Sequence, residues 1–303
     1  MRAAVVGADG SVGAEVRAAR PTDWSAAIET VADLVRQLRK EGPEVPAVGV
    51  GVAGLVDDDG VLRYAPNIAG VLGAPVRSEL EARLDVPVVV DNDANAAAWG
   101  EAVHGAARGA AHALVITLGT GIGGGIIAGG RVYEGAHGFA GEVGHFQVDR
   151  HGPRCACGDF GHWEARASGR ALGRMGRERA AGGRLPAVLD RAGGELEAIT
   201  GAMVGDAALD GDADALDVIR DYAAEVAVGF AGLANILDPE RIVVSGGLVR
   251  LGEVLFGPLR AAFARHLEAS ELRPRIEVVP AELGEWAGVI GAAAMARESV
   301  PAG

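Results

Sequence analysis

The chain has 303 residues, of which 49% are hydrophobic and 23% charged, a composition typical of a globular protein rather than a disordered one. Its net charge of −13 argues against nucleic acids and anionic membranes as its main partners. The sequence shows no targeting segment, no unbroken apolar run of membrane-spanning length and only two cysteines, so we expect a protein of the reducing cytoplasm.

Strand-like and helix-like segments alternate along the chain, which favours an α/β fold of two domains. Predicted strands cover residues 3–6, 47–52, 86–90, about 112–118, 241–245 and 275–279. Predicted helices cover residues 25–40, 77–84, 94–103 and roughly 285–297, with Asp93 as N-cap of the third and more helices beyond Glu164. Small residues before a new strand favour a domain boundary near residues 106–112.

A weak internal repeat concerns the start of the chain. Residues 114–132 predict a strand, a glycine turn, a second strand and a second turn. The second half of this segment, residues 125–132, resembles the opening residues 3–12. Since only the later copy has a strand ahead of it, we expect residue 1 to lie inside a hairpin whose first strand is missing.

A glycine-rich run covers residues 119–125, GTGIGGG. Glycines let backbone N–H groups approach a phosphate closely, and the run also fits the G-x-G-x-x-G pattern of dinucleotide-binding proteins. That pattern requires a helix directly after it, whereas IIAGGRV here predicts a strand. We therefore favour a β-hairpin phosphate loop, with a purely structural turn as the alternative.

Polar side chains follow the predicted strand at 86–90, in the sequence DNDAN of residues 91–95. Ligands of α/β proteins bind at the carboxyl ends of parallel strands. A carboxylate there could accept a proton from a substrate hydroxyl, and an asparagine could fix that substrate by hydrogen bonds. Simple capping of the next helix by Asp93 is the alternative.

Both cysteines lie in a third motif, which includes His145, Cys155, Cys157 and His162. Two thiolates and two imidazoles so close in sequence can close a tetrahedral zinc site. His151 and Asp159 are rival ligands. A fourth segment, residues 243–248, ends a strand in paired glycines, which fits either a nucleotide contact or an ordinary turn.

Together these segments resemble the ROK family of sugar kinases and repressors, most closely its bacterial glucokinases. The resemblance rests on AGLVD at 53–57, APN at 65–67, DNDANAAAWGE at 91–101, LGTGIGGGII at 118–127, GEVGH at 141–145, CACGDFGHWE at 155–164 and VSGGL at 244–248. It implies two actin-like ATPase (ribonuclease H-like) domains around a cleft. Residues 1–110 and the C-terminal helix, 286–303, would form one domain, and residues 111–285 the other.

The resemblance also implies a glucokinase that transfers phosphate from ATP to the 6-hydroxyl of glucose. Asp93 would be the general base. Sugar hydroxyls would be held by Asn67, Asn92, Glu142, His145 and Glu164. ATP would meet Thr120, Gly121 and Gly123 through its phosphates and Gly246 and Gly247 near its adenosine. Further implications are Mg²⁺, a structural Zn²⁺ on His145, Cys155, Cys157 and His162, and a homo-oligomer.

Two departures from the family pattern stand out. The family's zinc ligands are one histidine and three cysteines, whereas His162 replaces the last cysteine here. The family also opens with a strand and an Asp-x-Gly-Gly-Thr-Lys phosphate loop, which this chain lacks. We expect an upstream start of translation, an exposed sheet edge and little or no kinase activity for the chain that begins at Met1.

Four alternatives stay open. A repressor of the same family would need a DNA-binding segment ahead of residue 1. A sugar sensor would bind its ligand without phosphoryl transfer. A kinase for mannose, fructose or an N-acetylated amino sugar would differ only in substrate-reading loops. A nicotinamide-dependent dehydrogenase is disfavoured by the strand after Gly125.

Overall fold

The computed structural model describes residues 1–42, 45–65, 68 and 71–300. The strands are β1 (Arg2–Val6), β2 (Val12–Arg17), β3 (Val48–Val52), β4 (Leu55–Val56), β5 (Leu62–Tyr64), β6 (Val88–Asn92), β7 (Ala113–Leu118), β8 (Ile122–Ala128), β9 (Arg131–Val132), β10 (Arg241–Ser245) and β11 (Glu277–Pro280). The predicted strands are confirmed to within a few residues. Within these described residues, no helix has both the length and the apolar character needed to cross a membrane.

Ten α-helices are present in the described part of the chain. They are α1 (Trp24–Glu41), α2 (Val76–Leu84), α3 (Asp93–His104), α4 (Trp163–Ala167), α5 (Gly169–Ala181), α6 (Pro186–Arg191), α7 (Gly201–Leu209), α8 (Ala213–Leu237), α9 (Glu253–His266) and α10 (Ala287–Glu298). The start of α1 shows why these helices begin where they do. The Asp23 side chain accepts a hydrogen bond from the Ala26 N–H, one of the groups that a helix start leaves unpaired.

The chain divides into two compact units. Unit 1 comprises Met1–Val115, Gly125–Gly141 and Glu282–Gly303, and unit 2 comprises Ile116–Gly124 and Glu142–Ala281. Compact units need not coincide with the domains of a family, so the predicted domain bounds remain a prediction.

Unit 1 contains three small sheets. β1 and β2 are antiparallel, β3 and β6 are parallel with Val48 opposite Val88, and β4 and β5 are antiparallel. An apolar core forms where α1 and α2 pack against β3 and β6, with Ile28, Ala32, Leu80 and Val88 among its buried members. Among the described residues, β1 pairs only with β2 and β3 only with β6, so each has one edge without a strand partner.

A buried carboxylate fastens α3 to the segment that leads into α10. Glu101 is 0% exposed. Its Oε2 accepts hydrogen bonds from the Ala106 N–H at 2.7 Å and the Glu282 N–H at 3.2 Å, and its Oε1 from the Leu283 N–H at 2.9 Å. Three backbone donors thus replace the water that the carboxylate loses on burial.

The largest sheet has five strands in the order β11-β10-β7-β8-β9. β10 and β11 are parallel, whereas β8 and β9 form an antiparallel hairpin. The repeat in the sequence therefore corresponds to two antiparallel hairpins, β1–β2 and β8–β9. In unit 2, α8 contributes Tyr222 and Phe230 to a core that also encloses Trp163.

Candidate functional site

The end of β6 and the start of α3 form a strand-to-helix junction in unit 1. Asn92 is the N-cap, because its backbone is still extended while Asp93 is already helical. The Asn92 Oδ1 accepts hydrogen bonds from the Ala94 N–H at 2.7 Å and the Asn95 N–H at 3.2 Å, and its Nδ2 donates to the Gly54 carbonyl at 3.0 Å. The prediction that Asp93 caps this helix is wrong, so capping no longer accounts for Asp93.

Asp91 supports this junction from inside unit 1. Its Oδ1 accepts hydrogen bonds from the Asn92 N–H at 2.6 Å and the Asn95 Nδ2 at 3.0 Å. Burial raises the pKa of the Asp91 carboxyl, and these two hydrogen bonds oppose the rise. Asp91 therefore fixes its neighbours while being withdrawn from bulk water.

Asp93 is solvent-exposed. Desolvation by the surrounding protein nevertheless raises the pKa of its carboxyl, and hydrogen bonds from nearby backbone N–H groups only partly offset this. A carboxylate with a raised pKa is a stronger proton acceptor than an ordinary one. Exposure and raised basicity together suit Asp93 to take a proton from a bound hydroxyl.

A cavity of about 420 Å³ lies in unit 1 beside this junction, and its wall includes Asp58, Asp91, Trp99 and Glu134. Desolvation raises the pKa of Glu134, with Asp91 and Asp58 adding electrostatic repulsion. The sequence gives no signal for Glu134, because it follows a two-residue strand and belongs to no recognisable motif. Asp93 is not among the residues that line this cavity.

The glycine turn (residues 119–121) connects β7 to β8 in unit 2. The Gly119 N–H donates to the Gly121 carbonyl at 3.0 Å, the Gly169 N–H donates to the Gly119 carbonyl at 2.7 Å, and the Ile122 N–H donates to the Glu164 Oε2 at 2.9 Å. A Cβ atom on Gly121 would collide with this carboxylate oxygen. The strand β8 follows at once, so the helix that a dinucleotide-binding site requires is not there.

A second turn predicted to meet the nucleotide lies beside the glycine turn. β10 and β7 are neighbours in the sheet, and Gly246, directly after β10, lies against Leu118, the last residue of β7. Gly246 has a φ of 95°, and a Cβ there would collide with the Leu118 carbonyl. Thr120 and Gly247 are exposed, whereas Gly123 lies within β8 and not in the turn.

The metal cluster (His145, Cys155, Cys157 and His162) lies entirely in unit 2, and its ligand atoms are all within 4.8 Å of one another. The two Nδ1 atoms are 3.4 Å apart, Cys157 Sγ lies 3.2 Å from the His162 Nδ1, and Cys155 Sγ lies 3.8 Å from the His145 Nδ1. Zinc–nitrogen and zinc–sulfur bonds of ordinary length place tetrahedral ligands roughly 3.3–3.8 Å apart. The donor set therefore fits a zinc ion, and these three distances are close to that range, whereas the four ligand atoms together span up to 4.8 Å.

Each histidine of the metal cluster directs its other ring nitrogen towards a carboxylate three residues earlier. His145 Nε2 is 3.8 Å from Glu142 Oε2, and His162 Nε2 is 3.7 Å from Asp159 Oδ2. Both distances are longer than a hydrogen bond, so each carboxylate is a charged neighbour of its histidine. Asp159 therefore lies outside the cluster, and neither it nor His151 joins the four ligand atoms.

The loop that carries the metal cluster is tied to α8. The Arg166 guanidinium contacts Glu225 at 2.6 Å and Asp149 at 2.8 Å, and the Trp163 Nε1 donates to the Glu225 carbonyl at 3.1 Å. Burial raises the pKa of the Cys155 thiol to about 11; the backbone of Cys157 opposes the rise by a hydrogen bond, and the Glu164 carboxylate adds to it. Asn67, the remaining predicted sugar ligand, lies outside the described residues.

Residues 1–299 match the ROK family over almost the whole length of the chain. The chain belongs to the ROK family. A glucokinase of Streptomyces coelicolor is 39% identical over 99% of this chain and 95% of its own length. The xylose repressor of Bacillus subtilis is 27% identical over 86% of this chain and 64% of its own length.

A solved structure shares the fold of this ROK protein. The ROK family glucokinase from Streptomyces griseus, in complex with glucose and AMPPNP, superposes with a TM-score of 0.86. It is 40% identical, and the match covers 98% of this chain and 95% of the other. The expected actin-like ATPase fold is thereby confirmed.

Proposed function

We propose that the chain is an ATP-dependent sugar kinase that phosphorylates the 6-hydroxyl of glucose. The observation that carries the proposal is Asp93, an exposed carboxylate of raised pKa at the end of a parallel strand. Similarity to glucokinases over nearly the full length of both chains supports the same reaction.

Each predicted site residue keeps its role within this proposal. In unit 1, Asp93 is the general base and Asn92 and Asn67 hold sugar hydroxyls. In unit 2, sugar hydroxyls are held by Glu142, His145 and Glu164. ATP phosphates are met by Thr120, Gly121 and Gly123, and the adenosine lies near Gly246 and Gly247.

The reaction moves one proton and one phosphoryl group. Asp93 accepts the proton of the 6-hydroxyl as the sugar oxygen forms a bond to the γ-phosphorus and the bond to the β,γ-bridging oxygen breaks, releasing ADP. Mg²⁺ bound to ATP would supply charge neutralisation on the phosphates. Zinc, held by the four residues of the metal cluster, would fix the loop that presents His145.

The test is ATP-dependent formation of glucose 6-phosphate, followed by phosphorus NMR. Glucose is expected to be the best substrate when it is compared with mannose, fructose and N-acetylglucosamine at equal concentration. A higher rate with another of these sugars would support the assignment as a sugar kinase but show that glucose is not its preferred substrate. Light scattering on the same sample tests the proposed homo-oligomer.

A second candidate is a sugar-responsive regulator, favoured by the similarity to a xylose repressor over 86% of this chain. It predicts that glucose raises the melting temperature while no ATP is consumed. Turnover of ATP with glucose would exclude a purely regulatory role.

A further inference from the structure

Glu164 is the one feature that contacts both the glycine turn and the metal cluster among the interactions described in unit 2. Its Oε2 accepts the Ile122 N–H at 2.9 Å, directly after the turn. Its Oε1 lies 3.5 Å from the Cys155 Sγ, one of the four cluster ligands. The two contacts place one carboxylate between a phosphate-binding candidate and a metal-binding candidate.

Ile122 is held at both of its backbone groups by residues next to the histidine ligands. Glu164 follows His162 by two residues and binds the Ile122 N–H. Gly144 directly precedes His145 and packs so closely on the Ile122 carbonyl that a Cβ would collide with it. Ile122, the first residue of β8, is thus contacted on its N–H and on its carbonyl by residues close in sequence to the two histidines.

The link from His162 to Glu164 is short and rigid. Trp163 stands between them and is 0% exposed, with its Nε1 bonded to the Glu225 carbonyl at 3.1 Å. Glu164 lies in the first turn of α4, and the Ser168 N–H donates to its carbonyl at 3.1 Å. A shift of His162 is thus transmitted to Glu164 and is not absorbed by a flexible segment.

We propose that Glu164, besides the contact with sugar hydroxyls assigned to it above, is a positioning residue that couples metal binding at the cluster to nucleotide-phosphate binding at the glycine turn. The inference rests on the proposed function, since that function assigns ATP phosphates to the turn. With metal bound, the two histidines are fixed, and the Ile122 N–H and carbonyl keep their contacts with Glu164 and Gly144. Without metal, the histidines separate, the turn gains conformational freedom, and binding of phosphate must order it first.

Coupling of this kind is reciprocal. If metal strengthens nucleotide binding, the nucleotide strengthens metal binding by the same factor. Typical coupling between two sites changes affinity by about 5–150-fold. We expect a value of about tenfold here, because one hydrogen bond and one close packing contact carry it.

The experiment measures the dissociation constant of the non-hydrolysable ATP analogue AMPPNP by calorimetry on zinc-loaded and zinc-stripped full-length chain. Removal of zinc is expected to weaken AMPPNP about tenfold. Glu164→Ala is expected to bind AMPPNP weakly with less than about twofold dependence on zinc. Glu164→Gln is expected to retain most of the coupling, because its amide oxygen still accepts the Ile122 N–H.

Glu178→Ala is the matched control, since Glu178 is an exposed glutamate of unit 2 that pairs only with Arg174 among the described interactions. It should behave like the unmodified chain. If the stripped chain loses its fold, the reciprocal measurement serves: zinc affinity by chelator competition, with and without AMPPNP, starting from loaded protein. Circular dichroism shows which measurement applies.

The outcomes separate this inference from the proposed function. Equal AMPPNP affinities with and without zinc, full coupling in Glu164→Ala, or no AMPPNP binding at all would each overturn the inference. If glucose is phosphorylated but the affinities are equal, the kinase stands and the coupling is wrong. If coupling is present but no sugar is phosphorylated, the coupling stands and the proposed function is wrong.

Discussion

The junction of β6 and α3 in unit 1 and the metal loop of unit 2 hold their polar side chains in opposite ways. At the junction, the side-chain hydrogen bonds described for residues 91–95 join these residues to one another, with the Gly54 carbonyl as the one distant partner. The metal loop instead draws its ligands from residues 145–162, which are crossed by backbone hydrogen bonds such as that from the Val148 N–H to the Gly161 carbonyl but form isolated bridges in place of strands.

The difference follows from the backbone. A strand that passes directly into a helix satisfies most of its own N–H and C=O groups, so short side chains can complete the rest. A loop without regular strands has fewer such bonds, and a metal ion on the four residues of the cluster would add a further cross-link. The junction should therefore keep its geometry without any ligand, whereas the loop should depend on its metal.

The largest effect is expected from Asp93→Asn, which removes the proposed proton acceptor while leaving the Asn92 cap in place. We expect kcat for glucose phosphorylation to fall by about 10²–10⁴-fold, the usual value of general-base catalysis, with an unchanged melting temperature. Asp59→Asn, at an exposed turn of unit 1, is the control. A kcat within threefold of the unmodified chain would show that the junction does not supply the base.

Glu101→Ala tests the rigidity of unit 1 away from the junction. It removes the acceptor of the N–H groups of Ala106, Glu282 and Leu283. A buried polar group without a hydrogen-bond partner lowers the stability by about 1–3 kcal/mol. We expect the free energy of unfolding in urea to fall by about 3 kcal/mol. Glu101→Gln keeps one acceptor oxygen and should lose less, whereas equal losses would point to packing and not to hydrogen bonds.

Loss of the metal should destabilise the loop of unit 2. Cys155→Ser is expected to bind zinc about a hundredfold more weakly and to lower the melting temperature by about 5–10 °C, since zinc at 100 times its Kd contributes about 2.7 kcal/mol and most of this would be lost. Ala156→Ser adds the same hydroxyl between the cysteines without removing a ligand. Equal melting temperatures for the two variants would show that the loop, like the junction, keeps its structure without a bound ligand.

The smallest expected effect is on the pH dependence of kcat/KM, which tests whether Asp93 at the junction is desolvated. Because desolvation raises the pKa of Asp93, the acid limb of kcat/KM should have its midpoint above the ordinary value of 3.8. Because the pKa of Asp93 is raised on folding, the folded chain binds more protons than the unfolded chain. The stabilisation from this group is therefore complete below pH 3.8 and is lost as the pH rises through the folded pKa. An acid limb at or below 3.8 would contradict the desolvation.

Several features of the fold were predictable because they are local. Apolar periodicity located the strands β3, β6, β7 and β10, and glycine spacing located the turn after β7. The cap of α3 was not predictable to the residue, since Asp91, Asn92 and Asp93 are all good capping residues. Glu134 gave no signal, because only folding brings it beside Asp91 and Asp58.

The family, the glycine turn and the four residues of the metal cluster could be predicted from the sequence alone, because each depends on short motifs with a fixed spacing of residues. Only the tertiary structure showed that Glu164 accepts a hydrogen bond from the Ile122 N–H, 42 residues away. The same is true of Glu101, which accepts hydrogen bonds from Glu282 and Leu283, 181 and 182 residues further along the chain. Such contacts depend on where separate elements pack, and local propensity carries no information about packing partners far along the chain.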